Sequence, residues 1–594
     1  MRTLLISLFI LLLPLTAAAA SAEPADLILH NGVLLTQDPQ SPRASAVAVR
    51  GERILAVGSD RSIRSHIGPR TRVIDLQRRT VVPGLIDTHI HAIRGGQTYT
   101  FETSWLDASS LAVALQRLQH DAQHRPAGHW VAVVGAWHPG QFAEGRAPTR
   151  AELDAAVPDR PVYVQHLYDY ALLNAAAVEA LDLNGAEPRL PSGITVERDA
   201  EGRATGRLLR GVAPLNALFA RISATADHEN SLKAFFAELN ARGVTGFIDP
   251  SAGPPDAYEP LFRLRDRGAL TLRAGYRVPA TVQQDEAAWF RTVMAFRPNR
   301  HDDGEIAFLG LGENLVTAMN DGVLMGPGFD PPAEARQELI EVARLAAERR
   351  IPLEVHAYTD DAASAILDAF ETVGRDHDLR PLRWAIAHLN TGSQRTLQRM
   401  ARLGLAYSVQ MGPYFETTAI HAANDAQTAV STAPVRAALA LGIPVAGGTD
   451  STRIGVAGVW RAIQYHVDGR PLAGVRRSED NLITREAALR LFTRNAAWLS
   501  FAEDERGSLA AGKLADLAVL DQPYLTMPAR QIHTLRSLLT LVGGRAVHDS
   551  GVLKSEQRRA PAATAADRRS TDVPEMGLTR GSAANPKEIH HPIQ

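Results

Sequence analysis

The chain of 594 residues contains no cysteine. Disulfide bonds, thiolate nucleophiles and thiolate-held zinc are therefore excluded, and any metal must be bound by His, Asp or Glu. A lipoprotein anchor is excluded as well, because its acylated residue is a cysteine. An excess of charge is also missing: 63 basic residues face 65 acidic ones, for a formal net charge of -2. No basic field exists to steer nucleic acid or an anionic membrane surface. Beyond the N-terminus, no stretch is long and apolar enough to cross a bilayer.

What is present begins with a leader-like segment. Arg2 supplies a positive charge, Leu4 to Leu15 form an apolar run too short to span a membrane, and small residues follow from Ala17 to Ala22. The pattern predicts a signal peptide over residues 1–22, cleaved after Ala20-Ser21-Ala22, and a periplasmic or secreted mature protein.

Residues 23–80 read as short strands, among them Asp26 to Leu29, Ala46 to Val49 and Ile54 to Val57, with Asn31-Gly32 as a turn. A second β-rich piece covers 505–550, around Leu517 to Leu520 and Leu538 to Val547. The two are expected to meet in one small β-sandwich domain. Between them, strand and helix patterns alternate. Leu339, Val342, Ala343 and Ala346 lie on one helical face before the apolar run at 351–355, and Ile366, Ala369, Phe370 and Val373 lie on another after it. Strands are predicted near 81–86, 244–248, 270–274, 306–311, 351–355, 384–387, 405–409 and 443–446. Eight such units predict an α/β fold, a (β/α)8 TIM barrel over 81–504. The first two strands are separated by about 150 residues, far more than a usual loop, so 92–240 is expected to be an inserted lid. Its aromatic residues include Trp105, Trp130, Trp137, Tyr163, Tyr168 and Tyr170. Most are expected in the insertion's own core; Trp137 and Tyr170, with Gln410, are candidate substrate contacts. Residues 551–594 are polar, small and aperiodic, and are expected to be a disordered tail.

The strongest local signal is Pro83-Gly84-Leu85-Ile86-Asp87-Thr88-His89-Ile90-His91. Residues i and i+2 of a strand share a face, so both imidazoles point into the mouth of a barrel whose strand ends there. Three further strand ends carry His356, His388 and Asp450. Taken singly, each reads as a buried histidine or a capping aspartate. Together, four imidazoles and a carboxylate suit Zn²⁺ or a similar divalent cation. His89, His91, His356 and Asp450 are the candidate ligands. Asp450 is also the candidate proton shuttle, and His388 either orients water or substrate or serves as a further ligand.

With these residues in place the sequence resembles the amidohydrolase superfamily, and more narrowly its YtcJ-like, N-substituted formamide deformylase-type branch. The resemblance covers most of residues 25–550. It rests on Pro83 to His91, His356, His388, Gln410 with Pro413, and Gly448-Thr449-Asp450. Pro148 to Asp154 and Gly507 to Leu509 with Gly512 to Asp516 also match. The resemblance implies a barrel with a composite β-sandwich, and metal-dependent hydrolysis of amide-type C–N bonds in a small-molecule substrate. Two-metal relatives bridge their ions with a carboxylated lysine from the fourth strand. Here Thr317 takes the corresponding place, and no lysine occurs between Lys233 and Lys513. One ion per chain is therefore expected, with Glu313 as the alternative bridge. A deaminase is the second reading, disfavoured because no Glu follows His356 closely. A lactonase or phosphoesterase, and a non-catalytic binding protein of this fold, stay open. No nucleic-acid partner is expected, nor a membrane once the leader is removed. Association as a homodimer is left open.

Overall fold

The computed structural model describes residues 23–126, 128–209, 211–295, 301–322, 325–451 and 458–554. The predicted signal peptide and nearly all of the predicted tail lie outside them. Among the described residues, no helix is long and apolar enough to cross a membrane.

Eight parallel strands carry the functional end of the molecule. They are Leu85–Asp87, Val244–Asp249, Arg273–Val278, Ile306–Leu311, Glu354–Ala357, Ala385–His388, Ala406–Val409 and Val445–Gly447. The first four pair in chain order within one sheet, and the last four within another. The sheets are joined at both seams. Leu311 N–H donates to Pro352 O at 3.0 Å, and Thr88 N–H donates to Gly447 O at 3.1 Å. Helices between the strands bury the apolar stripes that the sequence predicted. Leu339, Val342 and Ala346 of Ala333–Glu348, and Ile366, Ala369 and Phe370 of Asp360–Val373, pack into one continuous core. Such burial is the main stabilising term of the layer, at about 1.5–3 kcal/mol for each large apolar side chain.

Two sequence expectations need correction here. The predicted first strand is two strands: Thr80–Pro83 joins a six-stranded sheet of terminal segments, and only Leu85–Asp87 joins the parallel set. Gly84 is the break. A Cβ there would lie 2.1 Å from Thr245 Oγ1, so only glycine lets the chain pass so close to the second strand. The third strand begins at Arg273 rather than Leu270.

The six-stranded sheet draws on both ends of the chain: Leu517–Leu520 pairs antiparallel with Thr80–Pro83, which pairs parallel with Val33–Leu35. Its apolar face shares a core with a four-stranded sheet containing Leu27–His30. The Asn31-Gly32 turn therefore carries the chain from one sheet to the other. Within the 92–240 insertion, five strands between Val131 and Leu209 form a separate sheet with two apolar clusters of its own.

Candidate metal centre

His89 and His91 follow the first strand, and the eighth strand closes over them. A Cβ on Gly448 would fall 2.6 Å from His89 Cβ, so this glycine permits the approach. Asp450 N–H then donates to His89 O at 2.8 Å, which fixes the aspartate beside the histidines. Asp450 and His388 both adopt left-handed backbone, at φ of 54° and 69°. That conformation is costly for a residue with a side chain and tends to occur where the surroundings enforce it for function. At His388 the enforcing contact is Gln410, whose Oε1 accepts from His388 N–H at 2.6 Å. Gln410 is buried and also donates to Ser408 Oγ. It holds the backbone of His388 and does not line the cavity, contrary to its expected role as a substrate contact.

The five residues picked out by strand-end reasoning do converge, and a sixth stands among them. Glu313 Oε2 is 3.5 Å from His89 Nε2, 3.6 Å from His356 Nδ1 and 3.1 Å from His388 Nε2, while Oε1 is 3.5 Å from His91 Nε2. Asp450 Oδ1 is 3.2 Å from His91 Nε2 and 3.9 Å from His89 Nε2. Exposure of the six ranges from 0 % for His89 to 7 % for Glu313 and His356. Glu313 is therefore neither a surface residue nor a helix cap. Two compact ligand triads share it: His89 with His91, and His356 with His388.

The cluster fits a cation by its own chemistry. His89 Nε2 is buried with no hydrogen-bond partner, and so is His388 Nδ1. Leaving such polar atoms unpaired, or burying an ion uncompensated, costs on the order of several kcal/mol. The outer contacts also leave the right nitrogens free. His89 Nδ1 lies 2.6 Å from Glu354 Oε1, and His356 Nε2 lies 3.0 Å from Asp321 Oδ1. His89 thus donates outward through Nδ1 and offers Nε2 to the centre, and the Asp321 carboxylate stands behind His356 Nε2 while Nδ1 faces Glu313. Asp321 is itself anchored by the backbone N–H groups of Tyr358 and Thr359.

The electrostatics agree. Burial pulls the His89 imidazole down, but Glu313 and Glu354 outweigh it and raise its pKa to about 9. Burial acts the same way on His356, and its hydrogen bonds to Asp321 and Glu313 raise it to about 10. Burial pushes Glu313 and Asp450 up, yet the surrounding imidazoles hold both below the usual carboxylate range. In a protein without metal, protons on His89 and His356 balance these carboxylates.

Glu354 has no role visible from sequence beyond that of a strand residue. Replacing it with Gln is expected to weaken metal binding roughly 10- to 100-fold, the usual effect of removing a carboxylate behind a ligating histidine. Competition with a chromophoric chelator measures this. Wild-type affinity in Glu354→Gln would remove Glu354 from the account.

His91, Glu313, His356, His388 and Asp450 line a cavity of about 90 Å³. Its walls include Arg94, Tyr168, Ser251, Asn314, Asn320 and Tyr358, none of which was picked out as a site residue from the sequence. Tyr168, from the insertion, lies at the cavity, whereas Tyr170 stacks on His166 under the Arg207 guanidinium. Trp137 is fully buried in the insertion, donating from Nε1 to Gln165 O. Neither of the two expected aromatic contacts lines the cavity.

Known proteins match this arrangement. The model of the amidohydrolase family covers residues 72–548. N-substituted formamide deformylase of Arthrobacter pascens is 28% identical over 87% of this chain and 97% of its own length. The Bacillus subtilis protein YtcJ is 25% identical over 88% of this chain and 99% of its own. The crystal structure of an uncharacterized metal-dependent hydrolase from Pyrococcus furiosus superposes with a TM-score of 0.60 at 22% identity, covering 84% of this chain and all of that one. The chain belongs to the amidohydrolase family.

Proposed function

We propose that the protein is an exported hydrolase of amide-type C–N bonds, working at a centre of two divalent cations that share Glu313. The observation that carries this reading is the position of Glu313 within 3.6 Å of all four imidazoles. His89, His91, Asp450 and Glu313 would hold one ion, and Glu313, His356 and His388 the other. The single-ion expectation rested on the absence of a bridging lysine; Glu313, the alternative bridge, is buried among the imidazoles and favours two ions instead. A donor set of nitrogen and oxygen without sulfur suits zinc. The architecture we favour is a closed (β/α)8 barrel with a composite β-sandwich and an inserted lid.

Hydrolysis adds water across the C–N bond, giving an acid and an amine. Divalent cations, when bound here, would supply Lewis acidity, lowering the pKa of water toward about 7 and polarising a carbonyl oxygen. Asp450 is ionised and directed into the cavity floor, so it can take the proton from water and return it to the departing nitrogen. The ring of Tyr358 packs against His356 and His388 at centroid distances of 4.5 and 4.7 Å. Burial holds its hydroxyl protonated, leaving a donor for the substrate carbonyl. A similarity over most of the chain supports the same reading, since that relative is named as an N-substituted formamide deformylase. Export rests on the N-terminal segment alone.

The test is a panel of N-formyl and N-acyl amines assayed with metal-reconstituted protein. Amine release that appears with metal and disappears on chelation is expected. Metal-loaded protein that turns over nothing in the panel would favour a binding protein instead.

A further inference from the structure

Arg94 forms no direct ion pair among the described residues, although the buried carboxylates of Asp450, Glu313 and Asp249 act on it from a distance. It stands three residues after His91, in the short helix Ala92–Gly96, and its side chain lines the cavity beside His91, Glu313 and Asp450. The guanidinium offers five donors in a planar fork. Among the described residues it makes no side-chain hydrogen bond or ion pair, whereas several other largely buried arginines have a carboxylate partner. Arg273 binds Asp516, Arg399 binds Glu371 and Arg461 binds Asp107. Glu313 and Asp450 would be taken up by a bound metal, and Asp249 is occupied by the backbone N–H groups of Ile93 and Ser251. A divalent cation held there would neutralise both carboxylates, and a second one would leave the floor positive. Arg94 then adds a further positive charge to a partly enclosed site.

We infer that Arg94 recognises an anion on the substrate, and that this anion is a carboxylate close to the scissile amide. A planar carboxylate matches the fork with two parallel hydrogen bonds. Phosphate carries more charge and would call for further cations. Among the described residues lining the cavity, Arg94 is the one cationic side chain besides the imidazoles of the centre, and the neighbouring groups are the neutral Ser251, Asn314 and Asn320. Asn320 Nδ2 donates to Asn314 Oδ1 and its own Oδ1 accepts from Gly322 N–H. This pairing holds that wall rigid and leaves the Asn314 amide to complete the recognition. The substrate class is thus an N-acyl or N-formyl amino acid, rather than a neutral N-substituted formamide. The inference rests on the amide-hydrolase reading for its chemistry, but not for the binding of the anion.

The experiment compares N-formyl and N-acetyl amino acids with their primary carboxamides, which differ only in the charge at that end. Holoenzyme is expected to prefer the carboxylates in kcat/KM, and Arg94→Met to lower that preference roughly 100-fold, the scale for losing one partner of a buried charge pair. Arg94→Lys, which keeps the charge but not the fork, is expected to fall between them. Metal content and thermal midpoint of each variant are measured alongside, so that misfolding is not read as lost recognition. Binding is read separately by calorimetry with 2-benzyl-4-oxopentanoate, a ketone that cannot be hydrolysed, and with its carboxamide. Cleavage of carboxamides as efficiently as carboxylates would overturn the inference while leaving amide hydrolysis intact. So would a preference unchanged in Arg94→Met, or the absence of carboxylate binding. Carboxylate binding that depends on Arg94, with no cleavage of any amide, would support the inference and count against the amide reading.

Discussion

Replacing His89 and His91 together with alanine is expected to strip the ion they hold and to reduce hydrolysis to background. Both imidazoles sit where no neighbouring side chain can take over: His89 is fully buried and its position is fixed by Glu354 Oε1 at 2.6 Å. Their loss also leaves Glu313 and Asp450 buried with two fewer imidazoles beside them, and without the ion those imidazoles would hold. Removing one side of a buried charge cluster costs about 3–5 kcal/mol, so the thermal midpoint should fall as well. The effect on activity should exceed the effect on folding, because the core around the strands is apolar and extends far from the centre. Activity in the double variant equal to that of the wild type would refute the site.

Asp450→Asn is expected to lower kcat by roughly 10²- to 10⁴-fold, the range for a general acid–base group. An amide fills the same space and can still interact with His91, 3.2 Å away. It cannot accept a proton from water at neutral pH. Assays at saturating metal separate this loss from weakened metal binding. Wild-type kcat in Asp450→Asn would show that another group moves the proton.

The ligands at strand ends were legible because a strand leaves few places for an inward-facing polar residue. Two-residue spacing put His89 and His91 on one face, and the apolar runs before His356, His388 and Asp450 marked where three other strands stop. Glu313 was not legible in the same way. It lies two residues beyond the end of Ile306–Leu311, where a carboxylate can equally cap, face solvent or bridge. Only the close approach of the fifth strand decides the matter, with His356 N–H donating to Glu313 O at 3.2 Å. The walls were harder still. Arg94 comes from a single short helical turn, and Tyr168 and Asn320 from loops, whose paths follow no periodicity. Trp137 and Tyr170 belong to an insertion with its own core, and a buried aromatic in such a core has the same sequence signature as one facing a ligand. Gln410 was noticed for good reason but given the wrong partner, since its side chain supports His388 from behind.

The most direct test of the centre is elemental analysis of freshly purified protein and of the His89→Ala/His91→Ala variant, prepared side by side. Two divalent ions per wild-type chain, with the ion at His89 and His91 missing from the variant, is the predicted result. An active wild-type protein without stoichiometric metal, or a double variant with the full wild-type content, would contradict it.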